Sequence, residues 1–297
     1  MKLQNRLGKY LLSWPPLVYL VLFFLIPTCI MFVAAFRFPG DYGGLAPMYY
    51  IEEGRVVWDL TLENFQRIVE EPIYLELFLK SAGYAGLTTL VCILMAYPLA
   101  WLIARSQKKH RDLMLLLVIL PFWSNFLIRI YAWMIILGPQ SAFTKAVNWV
   151  WTGMGFEPLQ LLFTPFAVIV GMVYVHLPFM VLPLYANLEK HDMSLLAAAQ
   201  DLGANAWQRF WKITWPLSLP GIFAGSALVF IPALGMFAIP DILGGTDSIM
   251  IGNLIKQQIL DTRDWPFGAV LSIMLTAGVL GIAALGSLVA RGGVKRG

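Results

Sequence analysis

Residues that could perform covalent or metal chemistry are sparse in this sequence. It holds three histidines, at 110, 176 and 191, and two cysteines, Cys29 and Cys92. There is no His-Glu-x-x-His, which would set two zinc ligands on one helix face, and no Gly-x-Ser-x-Gly, which would expose a nucleophile on a tight turn. There is also no Gly-x-x-x-x-Gly-Lys-Ser/Thr loop to cradle phosphates, so a nucleotide site of that kind is excluded. The two cysteines stand apart, offer neither metal spacing nor a disulfide framework, and read as small apolar residues. What remains is non-covalent recognition. Aromatic faces and carboxylates bind organic cations. The aromatic candidates are Trp123, Tyr131, Trp133, Tyr174 and Phe237, and the carboxylate candidates are Asp241 and Asp247. Arg129 is the one formal charge inside its apolar run, either a functional group or a cation snorkelling to the interface. His176, also within an apolar run, either titrates or is satisfied by a carbonyl.

A second segment is suited to docking. Residues 188–216 include Ser194-Leu-Leu-Ala-Ala-Ala-Gln-Asp-Leu-Gly203-Ala-Asn-Ala-Trp-Gln-Arg-Phe-Trp-Lys-Ile213-Thr-Trp-Pro216. Two short helices around one glycine fit this pattern. Asp192 or Ser194 is placed to cap the first, and Gly203 suits the left-handed turn that ends it. The second would run through Trp207, Phe210 and Trp211. Ala197, Ala198 and Ala199 carry no bulk, so another backbone or an aromatic group can approach closely. The same segment also reads as an amphipathic helix lying on a membrane surface.

The elements that must position these residues follow from composition. The chain has 297 residues, 59% hydrophobic and 13% charged, against about 25% charged for a soluble domain. The apolar residues fall in six long runs, each near the ~20 residues that cross the hydrocarbon of a bilayer as a helix. Backbone polar groups in lipid must pair internally, so the runs are helices. The ~10-residue alternation of a membrane barrel is missing. The expected fold is an all-α integral membrane protein with one domain over 1–297 and helices near 14–36, 79–104, 112–137, 160–187, 217–240 and 267–290. The N-terminal run ends without a small-residue cleavage site, so it reads as a retained helix and not a signal peptide. Pro27, Pro98, Pro121, Pro178, Pro183 and Pro232 fall inside these helices, where each removes a hydrogen bond and favours a kink. Kinks in most helices suit a protein that lines a cavity and moves.

Charge sets the expected topology. Lys2, Arg6 and Lys9, then Arg105, Lys108, Lys109 and Arg111, then Lys190, Arg209 and Lys212, and finally Arg291, Lys295 and Arg296 fall on one side. Positive residues in short loops mark the cytoplasm, so both termini are expected there. Most Asp and Glu residues fall on the other side, many of them between Asp41 and Glu76. That gives the outer face a negative field suited to a cationic solute or a basic partner, or merely solvated acids in a long loop. In this outer segment Thr61 is a candidate cap for a surface helix leading into the second span. Trp149 and Trp151 in the next outer loop suit the membrane interface.

At residues 188–216 the sequence resembles the permeases of ABC importers. Their cytoplasmic motif is Glu-Ala-Ala, three residues, Gly, nine residues, then Ile-x-Leu-Pro. Here Ala198 and Ala199 match the two alanines, Gly203 the glycine, Ile213 the isoleucine and Pro216 the proline. Ala197 stands in place of the glutamate and Trp215 in place of the leucine. The resemblance implies a type I importer permease fold in which this cytoplasmic coupling helix, with Asp201 and Leu202 before the glycine, docks into a groove on an ATPase. Further motifs narrow it: Thr61-Leu-Glu-Asn-Phe, Tyr97-Pro-Leu-Ala-Trp101, Leu120-Pro-Phe-Trp-Ser, Ile128-Arg-Ile-Tyr-Ala-Trp133, Pro178-Phe-Met-Val-Leu-Pro183, the run from Leu243 to Gly252, and Arg263-Asp-Trp-Pro266. These look like the first of the two permeases of putrescine/spermidine importers.

That likeness implies a bacterial inner-membrane subunit that is not itself an enzyme. It implies a second permease as heterodimer partner, two ATPase copies using ATP and Mg, and a periplasmic binding protein. It implies no cofactor on this chain and no nucleic acid. Met236 stands where close polyamine relatives carry glutamate, so another small organic solute, such as an amino-acid derivative, stays open beside polyamines. A secondary transporter coupled to ions is the rival of a different class, though it would more often place acidic groups at the midplane.

Overall fold

The computed structural model describes residues 14–52 and 54–294, with side chains described as far as residue 284. Lys2, Arg6, Lys9, Lys295 and Arg296, and the side chain of Arg291, on which part of the charge argument rests, lie outside the described residues. The helices, in chain order, are α1 (Trp14–Ala34), α2 (Glu63–Glu70), α3 (Pro72–Arg105), α4 (Lys108–Ile119), α5 (Phe126–Leu137), α6 (Ala142–Gly153), α7 (Pro165–Leu188), α8 (Met193–Asp201), α9 (Ala206–Arg209), α10 (Trp215–Leu234), α11 (Ala238–Leu243), α12 (Ile251–Lys256) and α13 (Trp265–Val294). The strands β1 (Tyr49–Glu52) and β2 (Arg55–Trp58) form an antiparallel hairpin, with Tyr49 opposite Trp58.

Six stretches are long and apolar enough to cross a membrane: Trp14–Ala34, Pro72–Arg105, Phe126–Gly153, Pro165–Leu188, Ala206–Leu234 and Trp265–Ala284. Two differ in kind from the sequence expectation. The run 112–137 is not one helix. Pro121 has no amide to donate, the chain tightens into a 3-10 turn at Leu120–Trp123, and Asn125 starts α5 afresh by accepting from the Leu127 amide at 2.8 Å. The third span therefore continues through Ser141, which caps α6 at the Thr144 amide, into a segment expected to be loop. The fifth span begins at Ala206 and not near 217, and it stops at Leu234; Gly235 to Phe237 separate it from α11.

Two helices widen to a π turn just before a proline. The Ile26 amide bonds to the Val21 carbonyl ahead of Pro27, and the Trp215 amide bonds to the Phe210 carbonyl ahead of Pro216. A proline ring clashes with the carbonyl four residues back. Widening the turn by one residue relieves that clash and keeps the helix continuous.

The described chain divides into two compact units. One comprises residues up to Leu75 together with those from Leu254 onward. In it Ala34, Ala35, Ala269 and Val270 form the core where α1 meets α13. Buried Asn64 donates to the carbonyls of Ala35 (3.2 Å) and Arg37 (2.9 Å), serving groups that the end of α1 leaves unpaired. Arg67 pairs with Asp264 at 2.9 Å and lies 3.9 Å from the Phe267 ring centre.

The other unit, residues 76–253, is built on α7. Cys92, Ala96, Tyr97, Ala100 and Ile103 of α3, five residues of α7 from Val173 to Leu188, and Ile222 and Val229 of α10 share one core. Two glycines one turn apart let α10 approach α7. A Cβ on Gly221 would lie 2.7 Å from Asn187 Cβ, and one on Gly225 would lie 2.6 Å from Met180 Sδ and 3.3 Å from the Met180 backbone. Such close small-residue seams are how helices associate where lipid supplies no hydrophobic drive.

Candidate functional site

Loop 188–216 has a defined architecture. Asp192 Oδ1 accepts from the Ser194 amide at 2.9 Å and starts α8; the bond to the Ser194 amide holds the Asp192 carboxyl below its ordinary value. The helix stops in a Schellman arrangement. The Ala204 amide bonds to Ala199 O and the Gly203 amide to Gln200 O, both at 2.9 Å, with Gly203 at φ +82°. Asn205 and Gln208 then form a reciprocal capping box that opens α9. Arg209 ties the second helix back to the first, donating to Gln200 Oε1 at 2.7 Å.

Among its exposed polar residues this loop presents unshielded apolar ones. Ala197 and Ala198 are exposed and Ala199 half-buried; Asp201 and Gly203 are exposed too. Leu202 is 88% exposed and Trp207 70%, with Met193 and Leu195 also exposed. Ile213 is half-buried in the π turn and Pro216 is exposed. The base of the loop is clamped. His191 Nε2 lies 3.1 Å from Leu217 O and 3.2 Å from Asn187 Oδ1, joining the end of α7 to the start of α10. Arg111, at the start of α4, donates to Glu189 at 2.5 Å.

The residues proposed for a solute path do not form one cluster. Trp133 and Tyr174 pair edge to face at 5.6 Å between centroids. The Arg129 guanidinium stands 5.1 Å from the Phe122 ring, which packs on Phe179. Trp123 and Tyr131 are exposed. His176 is buried, with Nδ1–H donating to the Met172 carbonyl at 2.7 Å. Met236 and Phe237 lie in the break after α10, and Asp241 lies one turn into α11. Asn253 joins this group. Its Nδ2 donates to the Phe237 carbonyl at 2.9 Å and to the Asp241 carboxylate, while its Oδ1 accepts from the Met250 amide. Asp247 sits apart, exposed in the turn Thr246–Ser248.

Comparison with known proteins decides the family. Residues 72–292 match the family described as binding-protein-dependent transport system inner membrane component. The chain belongs to this family. It is 41% identical over 284 residues to the spermidine/putrescine transport system permease protein PotB of Salmonella typhimurium (strain SL1344), covering 96% of this chain and 92% of that one. It is 42% identical over 267 residues to the protein of the same name in Escherichia coli (strain K12), covering 90% and 92%. A chain of the crystal structure of a bacterial alginate ABC transporter, in complex with alginate pentasaccharide-bound periplasmic protein, shares the fold with a TM-score of 0.69. That match covers 96% of this chain and 94% of that chain at 17% identity.

As a member of this family, with six membrane-long helices, the chain is a multi-pass inner-membrane transport component and not an enzyme. The family match begins at α3 and takes in loop 188–216 and the break at Gly235. Sequence reasoning missed Asn253. Beside it a Cβ on Gly252 would lie 2.5 Å from Gly235 O, so α12 packs directly on the opened backbone.

Proposed function

We propose that this chain is the permease subunit of an ATP-driven importer that carries polyamines inward. The observation that carries the reading is identity of 41–42% with permeases named for spermidine and putrescine, over at least nine-tenths of each chain. In this reading a second permease completes the path, a periplasmic binding protein delivers the solute, and an ATPase dimer supplies ATP and Mg chemistry that this chain lacks. Both termini face the cytoplasm. Loop 188–216 is the coupling element. Its exposed Leu202 and Trp207 and its bulk-free Ala197–Ala199 face enter the ATPase groove, and Ala197 leaves that contact without the motif carboxylate. In this reading the two compact units count together as one permease domain over 1–297.

The break after α10 is the candidate cation subsite. The carboxyl end of a helix carries partial negative charge, Phe237 offers a half-exposed ring, and Asp241 adds a carboxylate. Together these suit an ammonium group better than an anion. Asp241→Asn should raise the KM for spermidine uptake about tenfold, the order of one lost charge-assisted hydrogen bond, with the maximal rate less affected. An unchanged KM removes Asp241 from the subsite. A second reading, another small organic solute, rests on Met236, an uncharged residue at the same break.

The test is uptake of labelled putrescine and spermidine by membrane vesicles holding all components. The proposal expects ATP-dependent uptake that survives collapse of ion gradients. Loss of uptake on collapse, with ATP present, would favour an ion-coupled carrier. ATP hydrolysis stimulated by the binding protein without polyamine uptake would favour the other solute.

A further inference from the structure

Tyr97 lies on neither the loop nor the proposed path, yet it is where α3 meets the end of the loop and the start of α10. It is 8% exposed, in the last third of the membrane-long helix α3. Its ring centre lies 5.6 Å from that of Phe210 and 5.6 Å from that of Trp215. Those two rings belong to a continuous aromatic stack. Trp207 contacts Phe210 and Trp211, and Trp211 contacts Trp215 at 5.4 Å. The stack thus runs from the exposed face of α9, through the π turn, to the side of α3.

The Tyr97 hydroxyl lies 2.9 Å from Ser218 Oγ, and both groups are buried. Ser218 Oγ already donates to Thr214 O at 2.5 Å. A serine has one proton to give, so Tyr97 is the donor and Ser218 the acceptor. The chain Tyr97–Ser218–Thr214 therefore ends on the backbone of the π turn. The next residue on α3 is Pro98, which cannot donate to the carbonyl four residues back, so α3 is softest one residue from this contact.

We propose that Tyr97 is the positioning residue through which displacement of loop 188–216 moves α3, bending it at Pro98. The proposal rests on the reading of that loop as the ATPase-coupling element. Rigid packing along α9 and α10 carries the displacement, the aromatic stack transmits it sideways, and the Tyr97–Ser218 bond fixes its register.

The experiment uses the complete transporter, reconstituted with its partner permease, ATPase and binding protein, and reads polyamine taken up per ATP hydrolysed. Tyr97→Phe keeps the ring and removes the bond; uptake per ATP should fall about fivefold, the factor matching one ordinary hydrogen bond. Tyr97→Ala removes the ring as well and should lower it further, while ATP hydrolysis persists. Ser218→Ala should reproduce Tyr97→Phe, and the double variant should add nothing. An unchanged ratio in both Tyr97 variants overturns the proposal. So does a parallel loss of assembled complex and both activities at constant ratio, which is a purely structural role.

A second readout does not depend on the solute. Spin labels at exposed Leu102 of α3 and Lys212 of the π turn, in a background without Cys29 and Cys92, should give one narrow distance distribution in each nucleotide state. Tyr97→Ala should broaden it, and an equally narrow distribution in that variant overturns the linkage. Absence of polyamine uptake by the unaltered complex would count against the substrate reading alone, and the distance measurement would then decide.

Discussion

At Asp192 one carboxylate fixes where α8 begins. Its depressed pKa gives a direction to the pH dependence. The capping bond contributes fully above the carboxyl's unfolded value and is lost as pH falls through its folded value. Hydrogen exchange at the Ser194 amide should therefore be slow near neutrality relative to its intrinsic rate and lose that protection in acid; Asp192→Asn should keep protection across the range, because its side-chain oxygen still accepts and does not titrate. Equal loss of protection in both proteins would refute the capping account. In the other unit, Asp264 does two jobs, accepting from Arg67 at 2.9 Å and from the Phe267 amide at 3.2 Å. Burial disfavours the Arg67 cation, but the Asp264 bond and charge, with a smaller contribution from Tyr74, outweigh it and raise its pKa. The pair is partly solvent-exposed, so Arg67→Gln should cost about 1 kcal/mol or less. Asp264→Ala should cost more, since it also removes the cap at the start of α13, and thermal unfolding in detergent would order the two. Such single-residue features were readable where one residue type has few uses: glycine for the left-handed turn at 203, an acid or serine for the cap. Asn253 was not readable, because an asparagine near a helix gives no sign of which distant carbonyl and carboxylate it will bridge.

The packing of α7 on α10 depends on the absence of side chains. Gly225→Leu would drive a branched side chain against Met180 Sδ and its backbone, and forced overpacking of this kind typically costs about 1–3 kcal/mol. The yield of folded chain from membranes should fall, whereas Gly86→Ala, whose new Cβ meets nothing within 4 Å, should leave it unchanged. Gly221→Ala has a different consequence. The methyl group would press on Asn187, whose Oδ1 lies 3.2 Å from His191 at the base of loop 188–216. Hydropathy located these helices and failed at their breaks, for a physical reason. An apolar run stays apolar through Pro121 and through Gly235-Met-Phe237, so the average over a window cannot see that backbone bonding has changed. The hairpin Tyr49–Trp58 escaped for the opposite reason: its strands are four residues each, shorter than a helix-scale window, and its only turn signal is Gly54.

The whole chain leaves a surface that water would not tolerate. Along α1, Phe23 and Phe24 are each 68% exposed, and exposed leucines run the length of α3. A hydrocarbon surrounding makes that surface ordinary, which is why composition alone sufficed to find a membrane protein. Loop 188–216 differs, because its exposed Leu202, at the end of α8, and Trp207, on α9, lie outside the apolar core of the unit, on a segment rich in polar residues. Its motif was legible because spacing survives when individual letters change, as at Ala197 and Trp215.

The measurement that bears most directly on the central claim, that energy enters through this loop, is ATP-driven uptake by a Gly203→Val variant. Beyond its chain neighbours, no atom of this chain lies within 4 Å of a Cβ placed at Gly203, so within the chain the substitution acts through the backbone, which sits at φ +82° where a β-branched residue is strained. The account predicts that the variant reaches the membrane in normal amount, fails to retain the ATPase on purification and shows no uptake. Gly203→Asn, which tolerates the left-handed conformation, should stay near normal. Normal uptake by Gly203→Val would contradict the assignment of the loop.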